Sequence, residues 1–245
     1  SPALKLLYDK HQIINNFVSN KSYIINAEFS IVNNIYTTQY IKEIDSKDCV
    51  CSLLPQLISY KYKLDSITNK LKNITPPPPY ITSSIQQDAS SKLGYSPKQT
   101  MSILQSLYEK GYITYMRTDA TFISDDFLKD IQKLCDNRYP GLFEKRVYKQ
   151  NVANAQEAHE CIRPVSLDEK GESFETNEQK MYNLIYSRTI ASQMKLYTEK
   201  QFTYTLTSTT NSKHKFQFTL IEIIENGYKY VYTKTISDDK THIQT

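Results

Sequence analysis

Glycine is scarce in this chain, five in 245 residues, and no glycine-rich loop of the kind that cradles nucleotide phosphates is present. Cysteine is no more plentiful. Cys49 and Cys51 are separated by one residue, not by the two of common zinc sites. No nearby histidine or second pair completes a tetrahedral set, and Cys135 and Cys161 stand alone. Reduced thiols in an intracellular, non-secreted protein are the expectation. No apolar run approaches the length of a membrane span, and there is no signal-peptide pattern. Asp-x-Asp, a common metal-binding pair, does not occur. Excess charge is also lacking: 30 Lys and Arg against 26 Asp and Glu leave a net +4. Residues 80–165 are nearly balanced, with 11 basic and 10 acidic side chains. Bulk charge therefore does not announce a nucleic-acid protein. Any DNA affinity must come from a local arrangement of cations, with a moderate salt dependence.

What is there supports a folded protein. Hydrophobic content of 39% and aromatic content of 12% are enough for a core, in one large or two modest domains. Ser1-Pro2 opens like a helix, with serine at the N-cap and proline at the first position. Leu4, Leu7, Tyr8, His11 and Ile14 recur at helical spacing, which predicts His11 as a packed core histidine. Residues 23–41 read as a hairpin with its break at Asn33-Asn34. Residues 42–56 read as irregular, and 57–72 as a strand leading into a loop or short helix. Pro76–Pro79 force an extended boundary segment. Two helices follow. The first opens on the capping box Ser83-x-x-Gln86; the second opens on Ser96-Pro97-x-Gln99 and ends at Gly111. Ser124-Asp125-Asp126 starts a third helix, and Thr176-x-x-Gln179 a fourth. From Gln201 the pattern is β again: 202–209, 215–224, and 228–235 after the turn pair Asn226-Gly227. Strands at both ends and helices between predict an α+β fold, with a helical domain inserted into a β-rich one. The expected division is 1–79, 80–165 and 166–245.

The stretch Gly111–Ala120 concentrates the chemistry. A glycine ends a helix, and a β-prone run follows. In an extended segment Tyr115, Arg117 and Asp119 share one face. A phenol, a guanidinium and a carboxylate so placed can act as nucleophile, phosphate clamp and orienting group. With 20 tyrosines in the chain, a packing role for Tyr115 and an Arg117–Asp119 ion pair are the plain alternatives.

Thr114-Tyr115-Met116-Arg117-Thr118-Asp119 resembles the active-site motif of type IA DNA topoisomerases. Asn154 to Pro164, reading NAQEAHECIRP, is similar to a later motif of that family. Pro76 to Gln87 is similar to its proline-rich entry and TSTLQQ segment, and Ser1 to Leu6 to its QSPALRLI helix. One departure is Ala120, which stands where the family usually has serine. The resemblance implies a helical domain carrying the active-site tyrosine within a β-rich arch. It also implies a function: cleavage of one DNA strand through a transient 5′-phosphotyrosyl link, strand passage and resealing without ATP. It makes Tyr115 the nucleophile, Arg117 a clamp on the phosphate, and His159 a donor to a phosphate oxygen. Asp119, Thr118, Arg163, Gln86, Gln87 and Thr82 become supporting or DNA-contacting residues; Glu157 and Glu160 are given no role beyond local structure. The implied partner is single-stranded DNA. The implied cofactor is Mg²⁺, held by acidic residues of a separate N-terminal metal-binding (Toprim) domain, with no metal ligand in this chain. Because it begins at Ser1 and not Met, the chain is expected to be an excised fragment. The resemblance makes it the middle of such an enzyme, which without the metal-binding half is expected to bind single-stranded DNA weakly and not to relax supercoils alone. Two other classes are compatible with the pattern: a helix-turn-helix DNA-binding module over 83–110, where Lys98 and Lys110 supply the only basic residues of the second helix, and a purely structural domain.

Overall fold

A computed structural model describes residues 1–148, 159–168 and 176–236, with side chains to 232. They form two compact units, the first from Ser1–Lys70 and Lys200–Glu222, the second from Leu71–Glu199 and Ile223–Thr245.

The sheet is built from both ends of the chain. β1 (Asn26–Ile31), β2 (Asn34–Tyr40), β3 (Tyr62–Ile74), β4 (Tyr197–Ser208) and β5 (Lys215–Glu225) are ordered β1-β2-β5-β4-β3. The hairpin expected over 23–41 is present. Its two-residue loop is Val32-Asn33, one residue earlier than the sequence suggests, and both residues have positive φ (46° and 67°). That is the backbone hand matching strand twist. Phe29, Tyr62 and Phe216 pack edge-on within 5.1–5.4 Å over the buried Tyr40, Leu57 and Leu206.

The first unit departs from the sequence reading at three places. Residues 57–72, expected as a strand leading into a loop or short helix, are the end of a helix to Ser59 followed by a strand from Tyr62. Residues Lys47–Ser59 are a helix, α2, where irregular chain was expected. Ser46 caps it by accepting the Asp48 N–H, and Val50, Leu53 and Leu57 reach the sheet core at helical spacing. Pro55 inside the helix disguises the pattern, because it removes one backbone donor. The opening helix α1 (Pro2–Asn15) has its Ser1 cap, but none of its residues is buried. His11 is exposed and bonds Asn15 at 2.9 Å, so it is not the core histidine expected.

The second unit is helical: α3 (Thr82–Leu93), α4 (Pro97–Glu109), α5 (Asp125–Arg138), α6 (Thr176–Ser192) and α7 (Lys229–Ile236). α6 is its axis. Met181, Tyr182 and Ile185 join α3, α4 and the tyrosine segment in one core, while Ile190 and Ala191 join α5 and α7 in another. A helix covered on several sides has little amphipathicity to read. Buried Glu178 on α6 is held by Lys110 at 2.7 Å and Ser106 at 2.6 Å.

α7 overturns the strand expected at 228–235. Tyr228 and Val231 are buried three residues apart, a helical and not an alternating spacing. Asn226-Gly227 is a turn, but one that docks on another chain segment: the Tyr228 N–H bonds the Lys195 carbonyl at 3.0 Å. Gly227 has φ +46°, and a Cβ there would stand 1.9 Å from the Leu196 carbonyl oxygen. Neither backbone can yield cheaply. Gly227→Ala is therefore expected to destabilise the chain by on the order of 3 kcal/mol, measurable by urea denaturation. An unchanged midpoint would contradict the docking.

Around the prolines, three donors converge on one oxygen of Asp88: Tyr80 (2.5 Å), Arg188 (2.5 Å) and Lys92 (2.8 Å). Arg188 also lies over the Tyr80 ring at 4.4 Å, and Tyr148 bonds the Ser192 carbonyl at 2.7 Å beside those of Pro76 and Pro77. Burial pushes the Asp88 carboxyl up, but the Lys92 and Tyr80 hydrogen bonds and the Arg188 charge outweigh it and hold it below its ordinary 3.8. A depressed carboxylate stabilises the fold above its unfolded pKa, and that contribution is lost as pH falls through the folded value. The stability gap between wild type and Asp88→Asn should thus be widest above about pH 4 and close below it, as followed by urea melts across pH. A gap that widens toward acid would reverse the sign.

Candidate active site

The tyrosine segment begins with a helix end. Beyond α4, Gly111 adopts φ +78°; its N–H bonds the Tyr108 carbonyl, and the Tyr112 N–H bonds that of Leu107, both at 2.9 Å. This paired closure needs a left-handed residue, which glycine supplies. It turns the chain so that residues 112–114 run beside 161–165. Thr114 N–H bonds the Arg163 carbonyl and Val165 N–H that of Tyr112, each at 3.0 Å. Residue 162 in turn bridges Tyr80, its N–H 2.9 Å from the Tyr80 carbonyl. The described parts of the three motif blocks, far apart in sequence, are thereby stitched into one backbone network.

A regular strand was expected here; the structure has an extended segment with a single bridge, Ile113 to Pro164. Two threonine hydroxyls replace the missing ladder. Thr114 donates to the Cys161 carbonyl (2.6 Å) and accepts the Arg163 N–H (3.0 Å). Thr82 lies within 2.8 and 3.0 Å of the Met116 and Thr118 carbonyls and accepts the Thr118 N–H. Helix α3 starts at Thr82, one residue before the expected cap, and Ser84 accepts the Ile81 N–H instead. The Thr82 hydroxyl is thus committed to the 116–118 backbone. Thr114 went unnoticed as a site residue in sequence; its only signal is its place beside Tyr115.

The period-2 face is present. Tyr115, Arg117 and Asp119 are exposed, whereas Met116, Thr118 and Ala120 between them are buried. Among the described residues, neither the Tyr115 hydroxyl nor the Arg117 guanidinium has a hydrogen bond or ion pair. The plain alternative of an Arg117–Asp119 ion pair does not occur. Tyr112 is half-buried against the core of the second unit. The Ala120 N–H is capped by the Thr118 hydroxyl at 3.1 Å, so Thr118 faces inward.

Arg163 is used within the protein. Its guanidinium sits 3.9 Å from the Phe127 ring and donates to Glu160 (2.6 Å) and to the Pro164 carbonyl (2.9 Å). Glu160 also accepts the Ser124 N–H at 3.0 Å, tying the start of α5 to the 160–164 segment. Burial raises the Glu160 carboxyl, but the Ser124 and Arg163 hydrogen bonds and the Arg163 charge bring it below its ordinary value. His159 is exposed, two residues before Cys161. Gln86 is half-buried and Gln87 exposed on α3. Asn154–Ala158, including Glu157, lie outside the described residues. Among the described residues no group of three or more His, Cys, Asp or Glu could hold a metal ion, and no helix is long and apolar enough to cross a membrane.

An exposed phenol and a guanidinium without an ion pair among the described residues share one face of a pinned backbone and suit an anionic ligand, and the frame around them mixes helices with an antiparallel sheet. The comparisons agree on what such a frame belongs to. A family model described as DNA topoisomerase matches residues 1–245. DNA topoisomerase 1 of Rickettsia felis is 35% identical over 98% of this chain and 34% of the relative. That of Aquifex aeolicus is 33% identical, over 98% and 45%. Full-length topoisomerase I from Thermotoga maritima superimposes with a TM-score of 0.75 at 29% identity, over 99% of this chain and 40% of that one. The chain belongs to the type IA DNA topoisomerase family. It spans a third to under a half of the length of these relatives.

Proposed function

We propose that Tyr115 is the nucleophile of a type IA topoisomerase, of which this chain supplies the arch and the tyrosine-bearing body. The carrying observation is the exposed Tyr115 and Arg117 on one face of a segment whose backbone is fixed by Thr82 and Thr114. The phenol oxygen, giving up its proton, bonds to the phosphorus of a single-stranded DNA phosphodiester. The bond from phosphorus to the 3′ oxygen breaks, and that oxygen takes up a proton. The product is a 5′-phosphotyrosyl link and a free 3′ hydroxyl, and resealing is the reverse. Because one ester replaces another, no ATP is consumed. Arg117 offers two parallel donors to the non-bridging oxygens as charge builds on them. His159 donates to a phosphate oxygen, Asp119 orients Arg117 once substrate is bound, and Gln86 and Gln87 contact the DNA backbone. Thr82, Thr118 and Arg163 hold the segment in place.

Mg²⁺ belongs, in this reading, to a metal-binding domain of the longer protein, and no step above passes through it. The body that carries Tyr115, with α6 packed into its core, moves as one unit on linkers at its base, letting a second strand enter while the tyrosine holds the broken end. The protein then acts in whichever compartment holds the DNA, and the isolated chain does not relax supercoils. The test is denaturing capture of a covalent protein–DNA adduct after mixing the full-length enzyme, Mg²⁺ and a single-stranded oligonucleotide labelled on the 5′ side and, separately, the 3′ side of the cut. Label retained from the 3′ side supports the link proposed. Label from the 5′ side, or none, overturns it.

A further inference from the structure

Tyr108 and Tyr115 lie seven residues apart, yet their ring centroids are 5.3 Å apart with planes crossing at 66°. The Gly111 turn brings them together by folding the tyrosine segment back from the end of α4. Burial accounts for neither ring, since they are 40% and 43% exposed. α4 buries Thr100, Leu104 and Leu107, and Tyr108 contributes little to that core. The Thr82 and Thr114 hydroxyls fix the backbone on either side of Tyr115, but they leave its χ1 free to visit each staggered well. An edge-to-face aromatic contact selects among those wells, because the electropositive rim of one ring favours the electronegative face of the other.

We propose that Tyr108 is a positioning residue that holds the Tyr115 phenol in the orientation from which it attacks. This rests on Tyr115 being the nucleophile. Tyr108 acts through the Tyr115 ring and not on the DNA, so its loss should slow the cleavage step without weakening binding. The ring and not the hydroxyl makes the contact, so phenylalanine should substitute for it.

Two measurements test this. In the 245-residue chain, 3-fluorotyrosine placed at position 115 should show a ¹⁹F resonance that Tyr108→Ala moves to the value of a solvent-exposed tyrosine and Tyr108→Phe leaves near the wild-type value. In the full-length enzyme with saturating single-stranded oligonucleotide, single-turnover cleavage by Tyr108→Ala should fall roughly threefold to tenfold, with Kd unchanged and Tyr108→Phe within about twofold of wild type. Equal slowing by both variants would transfer the effect to the hydroxyl and overturn the proposal. So would a loss that resides in Kd. If Tyr115→Phe is inactive while Tyr108→Ala cleaves at the wild-type rate, the positioning role alone fails. If Tyr115→Phe still forms the adduct, the nucleophile assignment fails and takes this role with it.

Discussion

Tyr115→Phe, made in the full-length enzyme, should reduce the covalent adduct below detection while leaving affinity for single-stranded DNA within about twofold of wild type. The substitution removes one oxygen that has no protein partner among the described residues. No buried group loses a hydrogen bond, and the ring contact with Tyr108 is kept. Stability should therefore hardly change, so lost cleavage would report chemistry and not unfolding. Tyr112→Phe is the matched control. Its ring packs against the core of the second unit, so it should still form the adduct. Capture of the protein-linked end of a labelled oligonucleotide distinguishes the two. If Tyr112→Phe fails and Tyr115→Phe succeeds, the nucleophile has been assigned to the wrong tyrosine.

The parts of the fold that were legible are those governed by local chemistry. Ser1-Pro2 and Ser96-Pro97 start helices because a hydroxyl and a fixed φ serve the first turn wherever they occur. Gly111 ends α4 because the closing bonds require φ above zero. The alternation of residues 115–120 also survived, although no strand formed, since it depends only on an extended backbone. What escaped was set by distant partners. α2 is carried by packing of Val50, Leu53 and Leu57 on the sheet, which outweighs Pro55. α7 forms because Gly227 docks against the backbone of Lys195 and Leu196, whereas the β-prone tyrosines of 228–235 argue for a strand. The site shows the same split. Tyr115 and Arg117 stand out in a short motif. Thr82 and Thr114, however, act on carbonyls 34 and 47 residues away, a relation that no local pattern contains.

Arg117→Ala should lower single-turnover cleavage by a factor on the order of 10² or more, the usual cost of removing one donor aimed at developing negative charge. The guanidinium is exposed and without an ion pair among the described residues, so alanine strands no buried carboxylate and the fold should be undisturbed. Affinity should fall much less, because one cation is a small part of the contacts to a phosphate backbone. Arg117→Lys separates charge from geometry: it keeps the cation but presents a single ammonium in place of two parallel donors. Its cleavage rate should lie between those of wild type and alanine. The measurement is the rate of adduct formation at saturating oligonucleotide, with Kd determined in parallel. If alanine loses affinity and rate by the same factor, Arg117 binds the ground state only. If lysine is no better than alanine, the fork and not the charge is what the phosphate requires.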